Sequence, residues 1–247
     1  MATVKDVYNF INSFAPFNTA EEWDNSGLLV GDENAEVVKI IFALDCTNDV
    51  INQAVKAGAN LIITHHPVIF KPVSTVMQDS LVYKLIKNNI SIICAHTNYD
   101  KAQGGVNDIL CKIVGFDCFE KVQDTCLNIG MYDKEIAFED FVNTVKSKLN
   151  AQIRHNNIDK SVKKVAVCSG SGSDYLSLAK ELNCDVLLTG DGSHHDFLDA
   201  NEMGVALVCA GHFETENISI EPLMNKLENK FDLTCVLATQ NTPIFTF

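Results

Sequence analysis

No Cys-x-x-Cys pair occurs among the nine cysteines, which argues against a zinc ribbon or a thioredoxin-type redox pair. Their odd number also argues against a complete disulfide framework. Cys46, Cys94, Cys168 and Cys209 stand in or beside apolar runs, where a thiol behaves as a small hydrophobe. No apolar stretch approaches the roughly 18 residues of a membrane span. The opening Met1 to Val7 has neither the basic head nor the apolar core of a secretion signal, so a cytoplasmic location is expected. Positive charge is scarce and scattered, with 19 Lys and Arg against 32 Asp and Glu and a net charge of −13. A nucleic-acid backbone or an anionic membrane calls for a basic stripe, so neither is expected as a partner. A small anionic substrate stays compatible, because bound cations can dominate the field inside a site.

What is present is the material of an ordinary folded protein. The chain has 247 residues, 47% of them apolar and 21% charged, enough for one large domain or two lobes. Strand-like and helix-like segments alternate. Val37 to Leu44, Leu61 to Thr64 and Ile90 to Ala95 read as strands, separated by helices over Asn48 to Ala57, with an Asn cap, and Leu81 to Lys87. A helix over Val106 to Val114 follows. After about residue 120 the chain turns more polar for some forty residues, with a helix over Phe138 to Leu149 and a surface loop over Gln152 to Lys164. The alternation then resumes through strands at Val165 to Cys168, Val186 to Thr189 and Val205 to Cys209. Such βαβ units predict an α/β protein with mainly parallel sheets flanked by helices. The expected arrangement is a first lobe of residues 1–121 and 205–247, with residues 122–204 inserted as a second.

Six of the seven histidines fall just after short apolar runs, and open parallel sheets bind ligands at that end of their strands. Leu61-Ile62-Ile63-Thr64 leads into His65-His66-Pro67. Ser91-Ile92-Ile93-Cys94-Ala95 leads into His96, with Asp100 four residues on. Val205 to Ala210 leads into Gly211-His212, and Glu216 lies four beyond, on the same face if the segment is helical. Imidazole is the commonest metal ligand, and buried rings need partners for their nitrogens. His65, His66, Asp100, His212 and Glu216 therefore read as a composite metal centre. Five ligands are generous for one catalytic ion but suit two. Because neighbours in an extended strand face opposite ways, either the backbone turns at His65-His66 or each ring serves a different ion. Nitrogen and oxygen donors fit zinc, manganese, iron, cobalt or nickel.

Other features are open to two readings. His96 is either a ligand or, as favoured here, a proton carrier beside the ligands. His194 and His195 either face the same crevice or open a helix, and His155 sits in a polar loop. Cys168-Ser169-Gly170-Ser171-Gly172-Ser173-Asp174 could hold a phosphate on its amides, but it lacks a P-loop lysine and equally suits a tight turn. Trp23-Asp24-Asn25-Ser26-Gly27 either lines a pocket or leads into Leu28-Leu29-Val30 with the indole covering core.

At these residues the chain resembles the Nif-three-like family, also known under the name GTP cyclohydrolase I type 2. The resemblance runs through Ala20 to Leu28, Thr64 to Pro67, His96 to Asp100, Thr189-Gly190-Asp191 and Gly211 to Glu216. It implies two α/β lobes, a ring-shaped homohexamer, and two divalent metal ions held by the five ligands named above. His195 matches a histidine often present in the second lobe, outside that set. Tyr99 departs from an aliphatic residue in many relatives, and there is no room for the extra domain that some carry. The resulting expectation is a metal-dependent hydrolase of a small phosphate-bearing or nucleotide-like molecule, with His96 and His195 moving protons. The alternative is a non-catalytic metal-binding scaffold or regulatory interaction protein. A metallophosphoesterase of the usual kind would show Asp-x-His and Gly-Asn-His motifs, and neither is present.

Overall fold

The computed structural model describes residues 2–156 and 160–244. Helix α1 (Val4–Phe14) comes first, then strands β1 (Gly27–Val30) and β2 (Lys39–Ala43). Helix α2 (Asn48–Ala57), β3 (Leu61–Thr64), α3 (Leu81–Lys87), β4 (Ser91–Cys94) and the short α4 (Thr97–Lys101) follow. The middle of the chain holds α5 (Val106–Ile113), β5 (Phe119–Lys121), β6 (Asn128–Ala137), α6 (Phe138–Leu149) and β7 (Arg154–His155). Next come β8 (Ser161–Val167), α7 (Leu176–Glu181), β9 (Val186–Thr189), α8 (His194–Met203) and β10 (Ala206–Cys209). The last elements are α9 (His212–Glu216), α10 (Ile220–Lys230) and β11 (Thr234–Leu237). The result is a mixed α/β protein with two sheets flanked by helices.

The chain divides into two compact units, Met1–Gln103 with Ser219–Asn241, and Gly104–Ile218 with Thr242–Phe247. The boundaries expected near 121 and 205 therefore shift. Strand β10 is hydrogen-bonded to β9 and β7, so the strand that delivers His212 belongs to the second sheet. Leu110, Cys111 and Val114, on and just past α5, pack into the second unit's core.

The first unit carries a five-stranded sheet in the order β1-β4-β3-β2-β11. Four strands are parallel, and β1 closes one edge antiparallel to β4. Ile41, Ile62 and Ile92 stack in register across the sheet, and Val50, Ile51 and Ala54 of α2 pack in the same core. Each such aliphatic contributes about 1.5–3 kcal/mol by leaving water. Helix α2 forms because its apolar residues share one face; Thr47, not Asn48, caps it by accepting from the Val50 amide at 3.2 Å. Gly58, at φ +68°, ends it in the left-handed turn that glycine adopts without strain. Register pairs Ala43 with Thr64 and Thr64 with Cys94, so β2, β3 and β4 finish level.

The second unit's sheet runs β5-β6-β8-β9-β10-β7. Only β8, β9 and β10 are mutually parallel; β5, β6 and β7 join antiparallel, so this sheet is mixed rather than mainly parallel. Its central strands are buried on both faces, as parallel strands between helices are. Val165, Val167, Val186 and Leu188 point to the core that holds Phe141 and Val145 of α6. Ala166 and Leu187 point the other way, toward Leu176 and Ala179 of α7. Part of the expected Gln152 to Lys164 loop is strand, namely β7 and the start of β8, while residues 157–159 lie outside the described residues. Cys209 pairs with Thr189, so β9 and β10 also finish level.

Candidate metal centre

In the first unit the level strand ends deliver the donors. His65 and His66 follow Thr64 directly, and the Thr64 hydroxyl donates to the His66 carbonyl at 2.8 Å, curling the chain. The two rings consequently stand 5.1 Å apart, centroid to centroid, instead of facing opposite ways. His96, just past β4, joins them, and one ring nitrogen from each of the three lies within 4.8 Å of the others. Asp100 is buried on α4, with Oδ1 3.6 Å from His65 Nε2. The departure at Tyr99 is absorbed in the core: the ring is fully buried, edge-on to Phe14 at 6.3 Å.

Behind each ring stands a fixed acceptor. His65 Nδ1 is 2.9 Å from the Ala95 carbonyl, His66 Nδ1 is 2.7 Å from Asp45 Oδ1, and His96 Nδ1 is 2.8 Å from Asp24 Oδ1. A carbonyl or carboxylate oxygen can only accept, so Nδ1 carries the hydrogen. In the neutral ring Nε2 is then left with the lone pair that a metal takes. Asp24 is itself built in. Its Oδ2 accepts from Ser26 Oγ, the Thr97 amide and Thr97 Oγ1 at 2.8, 3.1 and 2.6 Å. Burial pushes its carboxyl up, but the hydrogen bonds from His96, Thr97 and Ser26, with the charge of His96, outweigh that and hold it well below the usual carboxylate range. Cys94 is not a competing ligand. Its thiol donates to the His65 carbonyl at 2.9 Å, and burial, reinforced by Asp24 and Asp100, pushes its pKa far up.

The second unit presents a pair of donors built in the same way. His212 opens α9 one residue beyond Gly211, and Glu216 lies one turn on, so Nε2 and Oε2 are 3.1 Å apart. His212 Nδ1 is held 2.8 Å from Asp191 Oδ2, at the end of β9. The serine-glycine loop after β8 supports this pair and is not an open phosphate cradle. The amides of Ser169, Gly170 and Gly172 already donate to Asn107 Oδ1, Thr215 Oγ1 and Thr189 Oγ1, at 2.7, 3.1 and 2.8 Å. Gly170, at φ +58°, passes so close that an added Cβ would strike Glu216 Oε1 and come 3.3 Å from His212 Nε2.

The remaining histidines are exposed. His194 and His195 open α8, behind a capping box of Ser193 and Asp196, and belong to no candidate metal group among the described residues. His155 lies on β7 rather than in a loop. Asp24, Asp45 and Asp191 anchor His96, His66 and His212, partnerships that nothing in the sequence announces. Asp45 and Asp191 carry the same signal as the ligands, a carboxylate just past an apolar strand. All the donors are nitrogen and oxygen, a set that fits a divalent transition metal.

The family model Duf34/NIF3 (NGG1p interacting factor 3) matches residues 2–243. The GTP cyclohydrolase 1 type 2 homolog of Clostridium acetobutylicum is 38% identical over 98% of this chain and 94% of its own length. That of Clostridium perfringens is 37% identical, covering 93% and 92%. Relatives of that name from Staphylococcus aureus align over 344 positions, more than this chain's 247 residues, and so carry sequence that it lacks. Among solved structures, a Staphylococcus aureus hypothetical protein superposes with a TM-score of 0.91 at 31% identity, over 99% of both chains. Reduced HcgD from Methanocaldococcus jannaschii gives 0.85 at 30%, over 96% of this chain and 97% of its own. With a full-length family match, relatives near 38% identity and the same fold, the chain belongs to the Duf34/NIF3 family.

Proposed function

We propose that the protein is a dinuclear metal-dependent hydrolase of a small phosphate-bearing or nucleotide-like molecule. His65, His66, Asp100, His212 and Glu216 are its metal ligands in this reading. The observation that carries it is the shared construction of His65, His66 and His212, each with Nδ1 tied to an acceptor, which makes Nε2 the nitrogen that can donate its lone pair to an ion. Two divalent ions, whether zinc, manganese, iron, cobalt or nickel, would supply Lewis acidity and acidify a water near neutral pH.

The chain's own residues do the rest. Asp45 and Asp191 hold two of the rings and raise their basicity. Asp100 and Glu216 bring the negative charge that balances dications without cancelling it. His96, aimed by Asp24 into the imidazole cluster, carries a proton to or from the reacting group, and His195 is a second carrier. A chain of net charge −13 repels a free phosphate, so the cations are what would hold an anionic substrate. The relatives' name, GTP cyclohydrolase 1 type 2 homolog, agrees with a nucleotide-like substrate, and ring opening of GTP is one reaction within this class. The ring-shaped homohexamer belongs to the same reading, and sedimentation velocity tests it.

The deciding experiment measures metal content by mass spectrometry together with turnover of GTP and model phosphoesters, in the wild type and in Asp100→Ala. Two equivalents of metal per chain and activity abolished by the substitution are expected. Undiminished activity in Asp100→Ala overturns the mechanism. The family's description as an interacting factor favours a second reading, a non-catalytic metal-binding scaffold or regulatory interaction protein. Metal removal would then lower stability or assembly while no substrate was turned over.

A further inference from the structure

We infer that Trp23 and Phe70 form an aromatic stacking subsite beside the imidazole cluster, and that the substrate bound there carries a planar heteroaromatic ring of the nucleobase type. This rests on the hydrolase reading of the same centre and narrows its substrate class.

Trp23 does not cover core. The residue is 59% exposed, and the neighbouring Phe70 is 48% exposed. The two rings lie 5.8 Å apart at a tilt of 42°, and the indole meets the His96 ring edge-on at 6.0 Å. The indole is thus open to solvent within one ring's reach of a candidate proton carrier. Its outward position is fixed by its neighbours. Asp24, the next residue, is bound to His96, Ser26 and Thr97, and Asn25 Nδ2 donates to the Ile69 carbonyl at 2.6 Å, tying the Phe70 segment to the Trp23 loop. The Glu21 amide donates to Thr97 Oγ1 at 2.9 Å on the other side. One network therefore sets the indole and aims the His96 ring.

A pair of large aromatic rings half open to water favours a flat ligand. Every nucleobase has a π face, and stacking on tryptophan or phenylalanine is among the main ways proteins hold one. An aliphatic or purely phosphate substrate would leave both rings without a function. The position beside His96 allows a base on the indole while a polar group covalently joined to it reaches the imidazoles.

Trp23 is the only tryptophan in the chain, so intrinsic fluorescence reports on this subsite alone. The test titrates guanosine and adenosine into the full chain, once after chelation and once with manganese or zinc supplied, with ribose 5-phosphate as the ringless control. Neutral nucleosides keep the answer independent of metal-held phosphate. Saturable quenching by both nucleosides in both samples, and none by ribose 5-phosphate, is expected. Phe70→Ala, at an exposed position that should leave folding intact, is expected to weaken nucleoside binding roughly tenfold. By calorimetry Trp23→Phe should retain binding and Trp23→Ala lose it. No saturable quenching up to the solubility limit overturns the inference. So does an emission that changes with protein concentration alone, which would mean that a second copy covers the indole. Nucleoside binding without nucleotide turnover in the metal-loaded protein would refute the hydrolase reading and leave the subsite standing. Turnover of ringless phosphoesters without quenching would do the reverse.

Discussion

Asp45 acts on the candidate metal centre through His66, deciding which nitrogen of that ring is presented. Removing such a partner typically costs 10–100-fold in metal affinity. Asp45→Ala is therefore expected to weaken binding of one divalent ion by about that factor, read by competition with a chromogenic chelator. Gly170 acts by having no side chain. Gly170→Ala places a methyl against Glu216 and forces a left-handed backbone on alanine, at a cost of roughly 1–2 kcal/mol from the backbone alone. Urea unfolding should register that loss, with a fall in metal affinity alongside it. Asp24 gives a pH signature. Its folded pKa lies below its unfolded one, so its stabilisation is whole above the unfolded value of about 3.9 and is lost as the pH falls. Urea midpoints recorded from about pH 5 down to about pH 3 should drop less steeply in Asp24→Asn than in the wild type. A slope unchanged by the substitution would count against the buried network. The placement of His65, His66, Asp100, His212 and Glu216 beyond the ends of apolar strands is legible in the sequence, because each follows a short apolar run. The partnership of Asp24 with His96 is not, since 72 residues separate them and only the folded chain brings them together.

Elements marked by a short unbroken apolar run or by a clean helical face are readable to the residue: α2, β3, α3, α6 and β9 have the bounds that the sequence suggests. Strand β6 is not legible in the sequence. Of its ten residues only Asn128, Ile129 and Gly130 are buried, and the outward half is rich in charge, so it carries little alternation. The five-residue helices α4 and α9 are too short to display a helical period at all. Two substitutions test the elements that hold each unit. Thr47→Ala removes the side-chain cap of α2 and is expected to cost about 1 kcal/mol. Phe141→Ala empties a fully buried site on α6 in the second unit's core and should cost about 3–5 kcal/mol. Both are read as shifts in the urea midpoint at constant slope.

At the scale of the molecule, the alternation of strands and helices announced an α/β protein but could not assign strands to sheets, which is why β10 was expected in the wrong unit. Periodicity is local, whereas sheet membership is decided by pairing across the chain. No helix among the described residues is long and apolar enough to cross a membrane. A net charge of −13 makes the folded state self-repelling, so raising the salt from low ionic strength should increase thermal stability.

The discontinuity of the first unit also sets an order of events on the ribosome. Residues 104–218 are synthesised as one run and hold nearly the whole of the second unit. The first unit needs α10 and β11, and Leu237 must find Phe42 across a span that includes nearly all of its neighbour. The earlier part of the nascent chain thus waits, with the β2 edge open, while the later part completes itself. Contacts so distant in sequence form slowly. Chaperone dependence should therefore fall chiefly on the segment that emerges first.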